Sequence, residues 1–203
     1  MIAILDYGVG NLFSLKSSFS AIGEDVTVTA DPDIIRLADR LILPGVGAFS
    51  DASRKLRASG LDSVLKEQAT AGKPLLGICL GMQLLFEKSF EYGEHEGLGL
   101  LRGVIRPIGD VTPPGYKIPH MGWNSLTFSK ERHALFGNLE EGAFVYFVHS
   151  YYADAPSDKI IATAEYGAPI TAAVADGNVM GCQFHPEKSG DTGLEILRAF
   201  CKL

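Results

Sequence analysis

Several features are scarce or missing in this sequence of 203 residues, and each absence narrows what the chain can be. It has only three cysteines, widely spaced, so we expect no disulfide framework and a reducing compartment, the cytoplasm. No run of about 18 apolar residues occurs, which predicts no transmembrane helix and no membrane partner. The opening segment MIAILDYG lacks the basic region and cleavage site of a signal peptide, and it is interpreted as a strand.

Positively charged residues are also few: 18 Lys and Arg residues stand against 24 Asp and Glu residues, which gives a formal net charge of -6 at pH 7. Broad binding to nucleic acid needs a basic surface, so no nucleic-acid partner is expected. No pair of histidines has the spacing of metal ligands, and we expect neither a metal nor a cofactor. Hydrophobic residues make up 46% and charged residues 21% of the chain, which predicts a folded domain rather than a disordered one.

Short apolar runs alternate with helical stretches in the first half of the chain. This alternation indicates a parallel sheet with helices on both faces. The stretch 48–71 is predicted to be helical, with a break at Gly60. Strands are predicted at Ile2–Leu5, 26–28, 41–43 and 75–79, and further helices at 11–22 and 80–87.

The second half has strand-like runs separated by turn residues, a pattern typical of antiparallel strands and hairpins. The pair Asp176-Gly177 predicts a two-residue hairpin. No linker, repeat or low-complexity segment occurs, so the sequence is interpreted as one α/β domain over 1–203. We expect a largely parallel central sheet flanked by helices, with additional antiparallel strands in the C-terminal half. The predicted strands here are 104–105, 144–148, 160–163, 171–174 and 179–184, followed by a helix at 194–200.

A candidate nucleophile, Cys79, lies between a predicted strand and a predicted helix, within Gly77-Ile78-Cys79-Leu80-Gly81. The pattern small-x-nucleophile-x-small is typical of a strained turn that exposes the nucleophile. The following helix would stabilise a thiolate, and the Leu80 N–H could donate to an oxyanion. Cys79 is therefore predicted to react, whereas Cys182 and Cys201 are expected to pack in the interior.

A candidate base follows the strand predicted at 179–184, where the sequence reads Phe184-His185-Pro186-Glu187. Imidazole can take a thiol proton and later return it to a leaving amine. A carboxylate two residues further on, in an extended chain, lies on the same side as the histidine and can hold one ring nitrogen, as in nucleophile–base–acid triads. A lone His-x-Glu is more often structural, but its combination with the Cys79 turn favours catalysis by Cys79, His185 and Glu187.

A second turn, Pro44-Gly45-Val46-Gly47, ends another predicted strand. Backbone N–H groups in such a turn can form a small anion site. It lacks the Gly-Lys-Ser/Thr ending of a phosphate loop, and an ordinary turn is an equally good interpretation. Since loops at the carboxyl ends of parallel strands meet at one edge, we expect this turn beside Cys79.

Over essentially the whole chain, these motifs resemble the class I glutamine amidotransferases. The resemblance implies that Cys79 forms a γ-glutamyl thioester with L-glutamine and that ammonia is released. It also implies that Gln83 and the backbone of His149, Ser150 and Tyr151 hold the glutamine. The segments that carry the resemblance are DYGVGNL at 6–12, PGVGAF at 44–49, CLGMQLLF at 79–86, PHMGWN at 119–124, YFVHSY at 146–151 and FHPEKS at 184–189.

The segments at 119–124 and 146–151 look like those of family members that pass ammonia to a (β/α)8-barrel cyclase in histidine biosynthesis. This implies a heterodimer that makes imidazole glycerol phosphate and aminoimidazole carboxamide ribotide. For Trp123 and Tyr146, ordinary packing is an equally good interpretation. For Lys188, a solvated surface charge is an equally good interpretation. The positions that look partner-facing are Asn11, His120, Trp123, Tyr146 and Lys188.

Other functions remain open from the sequence. The nearest alternative is the glutaminase subunit of another ammonia-using synthase, such as that of pyridoxal phosphate synthesis. A cysteine peptidase or a γ-glutamyl hydrolase would use the same three residues on other amides. A regulatory binding subunit with an inactive site would not need Cys79, His185 and Glu187 together, so their presence disfavours it.

Overall fold

The computed structural model describes residues 1–203 and contains fourteen β-strands and six α-helices. The strands are β1 Ile2–Leu5, β2 Val26–Thr29, β3 Arg40–Leu43, β4 Leu75–Ile78, β5 Phe86–Ser89, β6 His95–Glu96, β7 Leu101–Pro107, β8 His120–Ser125, β9 Thr127–Phe128, β10 Phe144–His149, β11 Tyr151–Asp154, β12 Ile160–Glu165, β13 Pro169–Asp176 and β14 Val179–Cys182. The helices are α1 Leu12–Ala21, α2 Pro32–Leu37, α3 Phe49–Ala58, α4 Leu61–Thr70, α5 Leu80–Leu84 and α6 Gly190–Lys202.

Eight strands form the central sheet, in the order β2-β1-β3-β4-β14-β13-β12-β9. The first five are parallel to one another, and β13, β12 and β9 continue the sheet with antiparallel pairings. Strand β14, from the end of the chain, pairs directly with β4. This architecture confirms the predicted α/β fold with a mainly parallel sheet and antiparallel strands in the C-terminal half.

Side chains of the central strands alternate between two hydrophobic cores, one on each face of the sheet. In β1, Ala3 and Leu5 belong to the core under α2, α3 and α4. Ile2 and Ile4 belong to the core under α1 and α6. Burial on both faces explains why these strands appear in the sequence as continuous apolar runs.

The predicted helix at 80–87 is shorter than expected. Helix α5 ends at Leu84, and Phe86 begins β5, which pairs with β7 in a second sheet of order β11-β7-β5-β6. The run Leu84-Leu85-Phe86 is apolar enough for a helix or a strand. The pairing of Phe86 with β7 determines that a strand begins there. No helix in the structure is long and apolar enough to cross a membrane.

The hairpin predicted at Asp176-Gly177 is present but displaced by one residue. Asp176 is still in β13 and pairs with Val179, so the two-residue loop is Gly177-Asn178. Gly177 has φ +58, in the left-handed region that glycine adopts most readily. The break predicted at Gly60 is confirmed, since Gly60 has φ +73 and separates α3 from α4.

Candidate active site

Cys79 occupies a strained turn between β4 and α5. Its φ of 54° and ψ of −112° are unusual for a residue with a side chain, as the sequence predicts for a nucleophile turn. The flanking glycines are required by close backbone contacts. A Cβ on Gly81 would lie 1.8 Å from the Leu43 carbonyl oxygen, and one on Gly77 would lie 2.7 Å from the Met82 Cα.

The turn at 44–47 packs against the nucleophile turn, which confirms the predicted proximity. A Cβ on Gly45 would lie 2.7 Å from the backbone nitrogen of Gly81. The buried Tyr7 hydroxyl donates a hydrogen bond of 2.7 Å to the Pro44 carbonyl and so fixes the start of the turn. Burial raises the pKa of Tyr7, helped by the nearby Cys79, and its hydroxyl therefore keeps its proton. The motif at 6–12 contained Tyr7, but its role could not be predicted from the sequence.

His185 and Glu187 form a buried pair directly after β14. Nδ1 of His185 lies 2.8 Å from Oε1 of Glu187, and both side chains are 2% exposed. The extended backbone expected here is wrong: residues Pro186–Lys188 form a 3₁₀ turn, which still brings the carboxylate to the ring. Cys79 and His185 line the same cavity, and Cys79 is among the groups that raise the pKa of the imidazole, so the three predicted residues are brought together.

The surroundings of His185 favour its protonated form. Burial alone would lower its pKa, but the interactions with Cys79 and Glu187 outweigh burial and raise the pKa to about 9. An imidazole that has taken a proton from Cys79 therefore keeps it near neutral pH until a leaving group accepts it. This is the property required of a general acid beside a nucleophile.

A cavity of about 350 Å³ opens above Cys79, large enough for an amino acid. All predicted substrate-binding residues line it except Gly45, which packs behind the wall against Gly81. Tyr92, which covers its rim, is 90% exposed and has φ 52. The cavity is lined by Val46, Gly47, Cys79, Leu80, Gln83, Glu91, Tyr92, Pro119, Val148, His149, Ser150, Tyr151 and His185.

Gln83 uses its amide nitrogen within the protein. Nε2 donates to Oε1 of Gln183 at 2.9 Å and to the Tyr151 carbonyl at 3.3 Å. Only its Oε1 is therefore available to a ligand as an acceptor.

Two further polar residues of the site were not predicted: Gln183, which is fully buried beside Cys79, and Glu91, which lines the cavity. Gln183 stands in the sequence beside His185, but only the folded chain shows its contact with Cys79, at 3.7 Å from Nε2 to Sγ. The Glu91 carboxylate lines the cavity and accepts the N–H of Phe49, the first residue of α3. Glu91 follows β5, a strand that the sequence did not predict.

Two histidines meet below the cavity wall. Nδ1 of His120 lies 3.0 Å from Nε2 of His149, and both residues are buried. Burial lowers the pKa of His120 to about 4 and that of His149 to about 3, so both are neutral at pH 7. The sequence did not predict this pair, because the two residues come from different strands, β8 and β10.

The predicted partner-facing residues divide between surface and interior. Trp123 and Tyr146 are cross-strand neighbours on β8 and β10, with ring centroids 6.1 Å apart, and Lys188 Nζ lies 6.0 Å from the Tyr146 ring. His120 is a correction: it is 3% exposed, because an offset of three along a strand reverses the side-chain direction relative to Trp123. Asn11 is half-buried and caps α1 by accepting the Ser14 N–H at 3.4 Å.

Trp123 is 56% exposed and lies in an apolar surface, which we call the aromatic face and define as Met121, Trp123, Phe144 and Tyr146 on β8 and β10. Large apolar side chains are normally distributed singly over a protein surface. Several on one strand pair make this face a candidate surface for contact with another molecule.

Similarity to known proteins agrees with this site. The family model described as "Glutamine amidotransferase class-I" matches residues 3–203 of the chain. The chain therefore belongs to the class-I glutamine amidotransferase family, and it is an enzyme of that class.

Curated relatives show which members of this family the chain resembles. The chain is 52% identical over 200 residues to the imidazole glycerol phosphate synthase subunit HisH of Bacillus cytotoxicus, covering 98% of this chain and 93% of the relative. It is also 52% identical to the subunit of the same name from Sulfurimonas denitrificans, over 100% of this chain and 98% of that one. These relatives favour the amidotransferase interpretation over a peptidase or a γ-glutamyl hydrolase.

Solved structures show the same fold at lower identity. PurLQS from Thermotoga maritima matches with a TM-score of 0.75 and 18% identity, over 99% of this chain and 97% of that one. A crystal structure described as a glutamine amidotransferase matches with a TM-score of 0.75 and 18% identity, over 98% of each chain.

Proposed function

We propose that this chain is the glutaminase subunit of an imidazole glycerol phosphate synthase, with Cys79, His185 and Glu187 as its catalytic residues. The observation that carries the proposal is the strained Cys79 turn, which lines the same cavity as His185 of the buried His185–Glu187 pair. The relatives at 52% identity carry the name of that synthase subunit. They disfavour a subunit of pyridoxal phosphate synthesis.

The reaction begins when His185 takes the Cys79 thiol proton and the thiolate attacks the side-chain amide carbon of glutamine. The C–N bond breaks, and His185 gives its proton to the leaving ammonia. Water, deprotonated by His185, then attacks the γ-glutamyl thioester, releasing glutamate and restoring the thiol. Glu187 holds Nδ1 of the ring through both steps, which keeps the other nitrogen directed at the reacting atoms.

The oxyanion formed in both attacks is stabilised by backbone donors. Leu80 is the first residue of α5, and the first N–H groups of a helix have no acceptor within it. The turn of Gly45, Val46 and Gly47 adds a second donor from the neighbouring strand end. Loss of one such donor typically reduces kcat by about 100-fold or more.

The glutamine main chain is held by the opposite wall of the cavity. Gln83 offers Oε1 as an acceptor, and the backbone of His149, Ser150 and Tyr151 borders the same space. Glu91 supplies a carboxylate, the group that pairs with the α-ammonium of an amino acid.

Ammonia released without an acceptor wastes glutamine, so the chain works as one subunit of a synthase. The partner is a (β/α)8-barrel cyclase, which receives ammonia and forms imidazole glycerol phosphate and aminoimidazole carboxamide ribotide. The aromatic face, together with Lys188, is the docking surface for this partner. Asn11 is proposed to belong to the same interface, and His120 lies buried on β8, one of the two strands that carry the face.

A glutaminase assay with and without the cyclase and its substrate tests the proposal. Wild-type activity should be low alone and rise in the complete mixture, and Cys79→Ala should abolish it. Cys201→Ala, which changes a half-buried cysteine of α6, is the control and should keep the wild-type rate. Turnover of glutamine by Cys79→Ala at the wild-type rate would disprove the catalytic assignment, and equal activity with and without the cyclase would disprove the coupling.

A further inference from the structure

Gln183 is a buried polar residue in contact with Cys79 that has no part in the reaction described above. It directly follows β14 and is 0% exposed. Its backbone N–H donates to the Ala172 carbonyl at 2.8 Å, which fixes the residue to the sheet. Its side-chain Nε2 lies 3.7 Å from Cys79 Sγ, a hydrogen-bond distance for sulfur.

The orientation of the Gln183 amide is determined by its neighbours. The Tyr151 carbonyl can only accept, so Gln83 must present its NH₂ group to it, at 3.3 Å. The same NH₂ group then donates to Gln183, which must present Oε1, at 2.9 Å. The NH₂ group of Gln183 is thereby left to face Cys79, and the opposite orientation would place two donors against each other.

The Tyr151 carbonyl is itself held by a second series of hydrogen bonds. Nδ1 of His149 lies 2.8 Å from it and must donate. Nε2 of His149 therefore accepts from Nδ1 of His120, and Nε2 of His120 accepts from the Asn124 amide at 3.3 Å. Asn124 is fixed in turn, because its amide also donates to the Glu165 carbonyl at 2.8 Å. Donors and acceptors agree along the whole series only when both histidines are neutral.

We infer that Gln183 is a positioning residue for the nucleophile: its amide N–H holds the Cys79 sulfur in place for attack on the amide carbon. The inference rests on the proposed role of Cys79. A hydrogen bond from this N–H to a thiolate is stronger than one to a thiol, because hydrogen bonds to charged groups are the stronger ones. The contact is therefore strongest in the attacking form of the residue.

A purely structural role would not require glutamine at this position. Gln183 is fully enclosed, and a buried polar side chain contributes little to stability compared with an apolar one of the same shape. Its neighbour Phe184, also 0% exposed, is apolar. Its Oε1 accepts from Gln83, which a carboxylate could also do, whereas the NH₂ group of an amide is needed to donate to the Cys79 sulfur.

The test compares Gln183→Met and Gln183→Glu in the full-length chain. Both variants keep the length of the side chain, and neither offers an N–H to Cys79. Alkylation of Cys79 by iodoacetamide and kcat for glutamine with the cyclase present should each fall by about tenfold in both variants. KM should stay within about twofold in Gln183→Glu, which keeps an acceptor for Gln83 Nε2. Gln68→Met, which replaces another buried glutamine on α4, should match the wild type in every measurement.

The outcomes separate this inference from the proposed function. Wild-type rates of alkylation and turnover in a folded Gln183 variant would overturn it. A variant with raised KM and a lowered unfolding temperature, but unchanged alkylation, would overturn it in favour of a structural role. A wild-type chain that is not alkylated at Cys79 would overturn the nucleophile assignment, and this inference with it. The two variants differ in charge, so one that fails to fold leaves the other to decide.

Discussion

Nδ1 of His185 and Oε1 of Glu187 lie 2.8 Å apart in a setting where both side chains are 2% exposed. Water therefore does not screen the Glu187 carboxylate. This carboxylate helps to raise the pKa of His185 to about 9. This relationship has a direct consequence for the pH dependence of the reaction.

Glu187→Gln should move the alkaline limit of activity to lower pH. The protonated imidazole gives its proton to ammonia, so kcat falls as the pH rises through the pKa of His185. Replacing the carboxylate by an amide removes a negative charge that raises this pKa, and the decline should begin earlier. We also expect a loss of about tenfold or more in kcat near neutral pH, from poorer orientation of the ring. The measurement is kcat against pH with the cyclase present.

Glu195→Gln is the matched control, since it removes a carboxylate that pairs with Arg198 on α6. It should leave the pH profile unchanged. An alkaline limit that stays at the wild-type pH in Glu187→Gln would show that Glu187 does not act on His185.

Gly81→Ala should destabilise the chain by about 3 kcal/mol or more. The added Cβ would lie 1.8 Å from the Leu43 carbonyl oxygen, a backbone atom of β3 that cannot move without separating the strand from α5. Urea denaturation at neutral pH measures the effect. Gly137→Ala is the control, because its Cβ would meet nothing closer than 3.4 Å and should change the free energy of unfolding by less than about 1 kcal/mol.

His149→Gln should weaken the acid dependence of stability. The folded chain holds the pKa of His149 at about 3, whereas an unfolded histidine titrates near 6.5. Above that value the imidazole is neutral in both states and adds no pH dependence. As the pH falls below it, the unfolded state binds a proton that the native state does not, and stability falls by up to about 1.4 kcal/mol per pH unit.

Urea denaturation at several pH values between about 8 and 4.5 measures this slope. The variant should lose less stability per pH unit than the wild type below pH 6.5 and show the same slope above it. Equal slopes below that pH would mean that His149 takes up a proton as easily in the folded chain as in the unfolded one.

Trp123→Ala should weaken binding to the cyclase by about 2 kcal/mol, or about 30-fold in Kd, because large aromatic residues dominate binding at protein interfaces. The rate of Cys79 alkylation in the isolated chain should stay the same, since the cavity does not include Trp123. Titration calorimetry measures Kd. Leu37→Ala is the control: Leu37 is 77% exposed at the end of α2, outside the aromatic face, and its loss should leave Kd unchanged.

Residues that are close in the sequence, or that follow strands, could be predicted as parts of the site. Cys79 was marked by its two glycines and His185 by the carboxylate two positions later. The parallel arrangement of strand ends placed the turn at 44–47 beside them, because loops that follow parallel strands meet at one edge.

The remaining parts of the site depend on contacts between distant segments. Gln83 and Gln183 meet only because β14 returns to pair with β4. The segment at 119–124 has no apolar alternation that would indicate β8, so the inward direction of His120 and Asn124 could not be foreseen. Helix α5 was overestimated because apolar residues continue past its end and β5 begins within the same run.

The pairing of β14 with β4 also determines when the chain becomes chemically competent. During synthesis, Cys79 leaves the ribosome long before the segment that carries His185 and Glu187. Until β14 adds itself beside β4, the nucleophile has neither its base nor the amide that holds its sulfur. In the proposed mechanism, an unfinished chain that lacks β14 therefore has the nucleophile but cannot turn over glutamine.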